Sequence, residues 1–393
     1  MQTYRSLFIC ITGLYCFFSS CIKPFDPVGV KDTAGILVVE GMILEEGSTI
    51  KLSRTVKLDE KMNESSHVYL ANVDHAVIHL IDRANNTVAI AEPQMINNVL
   101  IPGTYVIQGK IAFTPGMEYA LDIKIGNKHY QSAFVAPVDT PEIDEVTWKL
   151  NDDFSLDIMV STHDQENKTN YLRWMFDEDW EIRAPFYATH RYEQATGEII
   201  AHSLHNSNNR YYCWGKDQSK TIVLGTFDKF TEAVIKNKPI HHIPANDFRL
   251  FYLYSIFVKQ YGIDKEAYVY FENLRKNVEE SSSLFSPQPT EKKGNIQCLS
   301  DSDENVVGYV IISKEVTRRI FINANVIVPR DFSCEGDPGI APISEIDRVY
   351  RLGGAIYIYG GDNNFTFFPL QCVDCTALKG TKNKPDFWPN DHQ

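Results

Sequence analysis

The chain has 393 residues, 44% of them hydrophobic and 12% aromatic, and its 38 Lys and Arg against 51 Asp and Glu give a formal charge of −13. An acidic balance of this size argues against nucleic acid and against an anionic lipid surface as partners. The length allows two domains with sizeable cores, and after the N-terminus no stretch approaches the ~20 apolar residues that a membrane-spanning helix needs.

The first twenty residues form an export signal. Arg5 is the sole charge before Cys21, Leu7 to Phe18 is an apolar run, and Ser19-Ser20 set small side chains before a cleavage point. The run is too short and too weakly flanked to be a good spanning helix. Cleavage before Cys21 leaves that cysteine where bacterial lipoproteins receive their acyl chains, although Phe18 stands where an aliphatic residue is usual. The competing interpretation is an ordinary secretory signal with a chance cysteine. Lipid on Cys21 would hold the body at a membrane, since each buried methylene contributes about 0.8 kcal/mol. Losing Arg5 takes the formal charge from −13 to −14.

Residues 21–35 carry Pro24, Pro27, Gly29 and Gly35 and read as a tether. Short apolar or alternating runs follow at 36–41, 49–56, 76–81, 103–107, 118–125 and 129–135, separated by turn residues. That spacing predicts a β-sandwich over 36–137. Pro137 to Pro141 breaks the pattern. A second β-rich domain is expected over 142–330, with strands near 154–160, 171–176, 221–225, 248–258, 306–312 and 319–322. Residues 183–218 are polar, aromatic and irregular. One helix is predicted over 264–279, where Ala267, Tyr270, Phe271, Leu274 and Val278 recur at helical spacing behind an Asp264 cap. Residues 331–393 read as a loop-rich, cysteine-containing C-terminal lobe. The expected fold is mainly β: two Ig-like or transthyretin-like sandwiches, the second carrying the helix and long loops.

Cys10 and Cys16 leave with the signal, so Cys213, Cys298, Cys334, Cys372 and Cys375 remain beside the lipidated Cys21. Export places them in an oxidising setting where disulfides form, and an odd number leaves at least one unpaired within the chain. Pairing cannot be read from sequence. The Cys372-x-x-Cys375 spacing also admits a metal site or thiol exchange. A single such pair with loop-like flanks favours structural disulfides.

Other constellations are weaker. Asp301-Ser302-Asp303-Glu304-Asn305 starts like a calcium loop, but Val306 and Ile312 occupy the positions of the required glycine and glutamate, which leaves a solvated turn. Asp177 and Asp179 beside Trp180 could serve a glycan hydrolase, and a charged strand end explains them as well. His241-His242 would face opposite sides of a strand, which disfavours one shared metal. No hydrolase, metalloprotease, phosphate-loop or dinucleotide motif is present, so no catalytic residue, metal or cofactor is expected. Tyr187, Tyr192, Tyr211, Tyr212 and Trp214 are the candidate ligand or partner contacts, because aromatic faces stack well on planar groups and anchor interfaces; core packing is the alternative.

Several short motifs occur in a fixed order: Cys21 with Lys23-Pro24-Phe25-Asp26-Pro27, Leu37-Val38-Val39-Glu40-Gly41, Leu52-Ser53-Arg54-Thr55, Tyr171-Leu172-Arg173-Trp174, Gly294-Asn295-Ile296, Val307-Gly308-Tyr309 and Cys372-Val373-Asp374-Cys375-Thr376 with Pro385-Asp386-Phe387-Trp388. In this order they resemble the Bacteroidota lipoproteins of domain-of-unknown-function family 4249, over nearly the whole mature chain. The resemblance implies an outer-membrane lipoprotein, often encoded beside a TonB-dependent transporter, which is the expected partner; Lys23 and Asp26 near the anchor resemble the charged tags that direct such lipoproteins to the cell surface. It implies no activity. The expected role is therefore a non-catalytic accessory in nutrient capture or gating, the ligand unnamed. A structural or adhesive envelope protein is the alternative, and a surface glycan hydrolase a more distant one.

Overall fold

The computed structural model describes residues 35–56, 70–166, 168–201, 210–227, 233–280, 294–323, 339–352, 354–360 and 363–390. The predicted signal, Cys21, most of the tether and Cys334 lie outside these residues. The described body is mainly β, as the alternation predicts.

The first half contains Leu37–Leu44 (β1), Glu46–Thr55 (β2), Leu70–Asn72 (β3), Ala76–Asp82 (β4), Thr87–Ile96 (β5), Val99–Lys110 (β6), Tyr119–Ile125 (β7) and Lys128–Ser132 (β8). Period-two burial drives these strands: β1 turns Leu37, Val39 and Ile43 inward, and β2 turns Ile50 and Leu52 inward. Strand β5 escapes sequence analysis because Pro93 interrupts it and Val88, Ile90, Met95 and Ile96 face solvent.

Next come Ile143–Leu150 (β9), Leu156–His163 (β10), Tyr171–Arg183 (β11), His190–Glu193 (β12), Glu198–Ala201 (β13), Tyr212–Gln218 (β14), Val223–Thr226 (β15), Val234–Ile243 (β16) and Leu253–Ile263 (β17). The Lys265–Glu280 helix follows, then Ile296–Cys298 (β18), Val306–Ser313 (β19) and Glu315–Asn323 (β20), and finally Gly339–Pro342 (β21), Gly354–Gly360 (β22) and Asn364–Pro369 (β23).

The chain does not finish one half before starting the other. Strands β18 and β19, expected within the 142–330 domain, join the first sheet instead. That sheet has ten strands in the order β18-β8-β7-β4-β5-β6-β2-β1-β19, with β3 on β2. Strand β19 runs parallel to β1, while β18 runs antiparallel to β8 at the opposite end of the path. One short stretch therefore supplies both edges. The Asn295 side chain joins them, donating to the Val310 carbonyl and accepting from the Val310 amide, both at 2.8 Å. Closure leaves no room for side chains at two glycines. A Cβ on Gly294 would lie 1.4 Å from the Gly308 carbonyl oxygen, and one on Gly308, whose φ is +131°, would lie 1.8 Å from that of Val39. The reason β18 and β19 return is burial: Ile296, Val306, Val310 and Ile312 complete the apolar core formed by Leu37, Leu52, Leu80, Leu121 and Tyr130.

In the second half a three-stranded sheet, β16-β10-β9, and a five-stranded sheet, β14-β11-β17-β20 with β15 on β11, share one core around Leu156, Ile158, Trp174, Phe176, Ile256 and Val258. The helix sits between the halves. Asp264 caps it as predicted, accepting from the Ala267 amide at 2.6 Å, and Ala267 and Phe271 pack with Leu44, Tyr261, Tyr309 and Ile311. The predicted break at 137–141 is a stitched joint: Val138 pairs with Ile312 and Lys314 through the backbone, and the Thr140 hydroxyl accepts from the Gly262 amide at 2.7 Å.

The region read as irregular at 183–218 contains the β12–β13 hairpin and β14, and the C-terminal lobe contains a sheet in the order β21-β23-β22. Tyr192 from the hairpin packs on Ala341, Ile346, Val349 and Phe365 of that lobe.

Candidate functional site

Strand β11 sorts its side chains by alternation. Leu172, Trp174, Phe176, Glu178, Trp180 and Ile182 are buried, whereas Arg173, Asp177, Asp179 and Arg183 are half-buried on the other face. Neighbouring strands supply their partners. Lys259 reaches Asp177 at 2.6 Å, and Arg319 reaches Asp179 at 3.1 Å and the Ser255 hydroxyl at 2.9 Å. Burial pushes the Asp179 carboxyl up, although Arg319 pulls the other way. Two carboxylates each tied to its own cation are cross-strand ion pairs.

The aromatic candidates divide. Tyr187, Tyr211 and Tyr212 come together: Tyr211 stands edge-on to Tyr187 at 6.0 Å and to Tyr212 at 4.8 Å between ring centroids. The Arg183 guanidinium carbon lies 5.1 Å from the Tyr212 centroid and 4.6 Å from that of Tyr252. Glu181, almost fully buried, accepts from Arg183 Nε at 2.5 Å. Desolvation pulls the Arg183 pKa down, but Glu181 outweighs it and the guanidinium is held above its usual range. Burial raises the Tyr187 and Tyr211 hydroxyls, which keeps these rings neutral. The arrangement is a rigid aromatic and guanidinium surface suited to stacking on planar groups.

Tyr192 and Trp214 do not join this cluster. Tyr192 is 9% exposed within the C-terminal lobe, and Trp214 is 6% exposed against Leu253 and Trp388. Both are core residues, because the irregular stretch that would have presented them is folded. Tyr252 is the residue sequence analysis missed. It stands in the apolar run 248–258, where periodicity predicts only a strand.

Cys213, Cys372 and Cys375 lie beside this surface, the Cys372 carbonyl accepting from the Phe186 amide and the Cys375 amide donating to the Arg210 carbonyl. Cys213, next to Tyr212, is disulfide-bonded to Cys375 across 162 residues of sequence. Cys372 is disulfide-bonded too, and Cys298 is free and buried with its sulfur 3.3 Å from the Ser300 hydroxyl. Cys372 and Cys375 are thus not bonded to each other. Asp301 and Glu304 of the calcium-like run both approach Lys128, and Tyr130 donates to Glu304 at 2.6 Å.

The buried face of β11 carries an ionic network at Glu178. Glu178 Oε1 accepts from Arg249 at 2.8 Å, from Tyr254 at 2.7 Å and meets His241 Nε2 at 3.0 Å. Arg249 also grips Asp247 through two nitrogens, at 3.0 and 2.7 Å. Burial drives the Glu178 carboxyl up, but the bonds from His241 and Tyr254 and the Arg249 charge prevail and hold it below the usual range. His242 turns the opposite way, to Asp157 at 2.6 Å. The two histidines therefore pair with separate carboxylates, as strand geometry predicts. Among the described residues no group of three or more His, Cys, Asp or Glu could hold a metal ion.

A family model described as Domain of unknown function (DUF4249) matches residues 22–319, three quarters of the chain. The chain belongs to this family. Its match runs through both β halves and the joining helix and stops within β20, so the C-terminal lobe with Cys375 lies beyond it. No curated protein matches the chain. Within the matched residues, Gly294-Asn295-Ile296 and Val307-Gly308-Tyr309 fall on the seam of the ten-stranded sheet. Among the described residues no helix is long and apolar enough to cross a membrane.

Proposed function

We propose that this protein is an exported lipoprotein, acylated on Cys21 at the outer membrane of a Bacteroidota cell and facing the surface, which serves a TonB-dependent transporter as a non-catalytic accessory in nutrient capture or gating. The observation that carries the contact site is the Tyr187, Tyr211, Tyr212 and Tyr252 cluster with Arg183, in which Arg183 ends β11 and Tyr212 opens β14 beside the Cys213–Cys375 bond. Half-buried rings fixed by packing lose little entropy on binding and make effective anchors. The paired states of Asp177 and Asp179 support a non-catalytic role. A retaining or inverting glycosidase needs a proton donor and a second carboxylate directed at the sugar, and here each carboxylate faces a cation.

Mild detergent extraction of native membranes, capture of this chain and mass spectrometry test the proposal. The expected result is a co-purifying transporter barrel, lost in a Tyr211→Ala/Tyr212→Ala variant that folds normally. A chain that never brings down a barrel overturns the partnership. Acyl mass on Cys21, absent in Cys21→Ser, tests the anchor separately.

A further inference from the structure

The first sheet carries an apolar feature that neither its core nor the aromatic surface explains. Strands β5 and β6 form a hairpin through a two-residue turn, Asn97-Asn98, both in left-handed backbone with φ of 50° and 62°. Flanking it, Met95 is 56% exposed, Ile96 51%, Val99 63% and Leu100 37%. Met95 pairs with Leu100 and Ile96 with Val99 across the ladder. Successive pairs face opposite sides, so both faces of the ribbon tip are apolar. A hairpin standing in water would be polar on at least one face. From Pro93 through Gly109 there is no charged residue.

The tip also leaves the sheet. Strand β6 pairs with β2 as far as Lys51 and Thr104, and beyond that β3 takes over the β2 edge at Ser53, Arg54 and Thr55. Gly103 makes the departure possible: its φ is +65°, its amide donates to Asp74 at 2.6 Å, and a Cβ there would lie 2.5 Å from the Leu52 carbonyl oxygen. The direction of departure is set by register. Strand β2 runs antiparallel to both β1 and β6, so the free end of the hairpin and the start of β1 lie at one end of the sheet. The Gly35 amide donates to the Thr55 carbonyl at 2.7 Å, and the hairpin reaches the same level to within about 10 Å at ~3.3 Å per residue. Fourteen Cα steps separate Cys21 from Gly35, a reach of at most about 50 Å.

We infer that the Met95–Leu100 hairpin tip is a second, non-covalent contact of this protein with a lipid bilayer. The inference rests on the lipid-anchor reading, which fixes the Gly35 end toward the membrane. The ribbon lies at the boundary of headgroups and acyl chains, where the Asn97 and Asn98 amides remain hydrated and the apolar side chains leave water. It needs no anionic lipid, since the segment has no cation to offer. Its effect is to orient the body: one flexible tether permits any tilt, whereas a tether and a tip two strands away restrict it.

The test supplies the anchor chemically. The chain beginning at Cys21 is coupled through that thiol to phosphatidylcholine vesicles containing a maleimide lipid and brominated acyl chains. Val99→Trp places a reporter at the tip, and Lys110→Trp places one at the far end of β6. With the emission of the parent chain and its five native tryptophans subtracted, at a depth of about 5–10 Å the Val99→Trp signal should fall by about half relative to non-brominated vesicles, unaffected by salt, while the Lys110→Trp signal is unquenched. An unquenched Val99→Trp in the coupled chain overturns the inference, as does equal quenching at both sites. Quenching that appears only when a transporter is co-reconstituted would assign the tip to a protein partner and also overturn it. Because coupling does not depend on cellular acylation, absence of an acyl group on Cys21 in cells would sink the anchor reading and be distinguishable from failure of the tip.

Discussion

The two β halves use strands of similar length and the same alternation, yet they are closed by different chemistry. The ten-stranded sheet is closed by backbone fit: Gly308 lets β19 lie against β1, Gly294 lets the two edges meet, and one asparagine spans them. Its hydrophobic cluster includes tyrosines whose hydroxyls are satisfied at the rim, such as Tyr105 donating to the Val73 carbonyl at 2.8 Å, and its buried polar groups include Ser48 and Ser132. The second half is closed by charge and sulfur. Glu178, Arg249, Asp247 and His241 link its two sheets, and the Cys213–Cys375 bond pins the C-terminal lobe to β14. An apolar core tolerates any side chain of the right size, whereas a buried ion pair tolerates only its own partner. The first half should therefore fail at glycines and the second at ionisable residues.

The strongest blow to the first half is Gly308→Ala. With φ at +131° and the Val39 carbonyl 1.8 Å from the new Cβ, β1 and β19 must separate, and we expect a loss above about 4 kcal/mol in chemical denaturation. Glu178→Ala is the matching blow to the second half. It leaves Arg249 and His241 buried without their acceptor, a loss of about 3–5 kcal/mol. If a Leu80→Ala control in the first core costs more than Glu178→Ala, the two halves do not differ in this way. Replacing Cys213 and Cys375 together with serine should cost about 2–4 kcal/mol in chemical denaturation by releasing a long loop in the unfolded chain.

Acid sharpens the same contrast. Glu178 and Asp247 are both held below their ordinary range, in each case because hydrogen bonds and the Arg249 charge outweigh burial. Their stabilisation is complete above the unfolded carboxyl pKa of about 4 and is lost as pH falls through the lower folded value. Stability measured from pH 7 to pH 3 should drop more steeply for the native chain than for Glu178→Gln, and the two curves should converge at the acid end. The smallest effect on stability, within about 1 kcal/mol, is expected for Tyr212→Ala at the half-exposed surface, where the readout is partner capture instead.

Much of the strand content was legible because burial and alternation coincide. The β1 run, the Asp264-capped helix and the inward face of β10 are examples. Strand β5 was not, since its apolar residues point outward and a proline interrupts it. The assignment of β18 and β19 to the first sheet was also hidden. Sequence order places them after the helix, and only the unfilled edges of the first core call them back. Among the candidate contacts, Tyr211 and Tyr212 met Tyr187 as aromatic neighbours, whereas Tyr192 and Trp214 went inside because hairpin and lobe supplied partners that no local window contains.

The sequence by itself determined the β character, the helix and its cap, the family membership carried by ordered short motifs, and the opposite directions of His241 and His242. These follow from local periodicity and from chemistry within a few residues. Tertiary structure alone decided that Cys213 bonds Cys375, that Glu178 rather than Asp177 is the buried carboxylate with three partners, and that one end of the first sheet gathers Gly35 and an apolar hairpin tip. Each of these depends on which distant strands become neighbours, and that choice is made by completing cores across the whole chain.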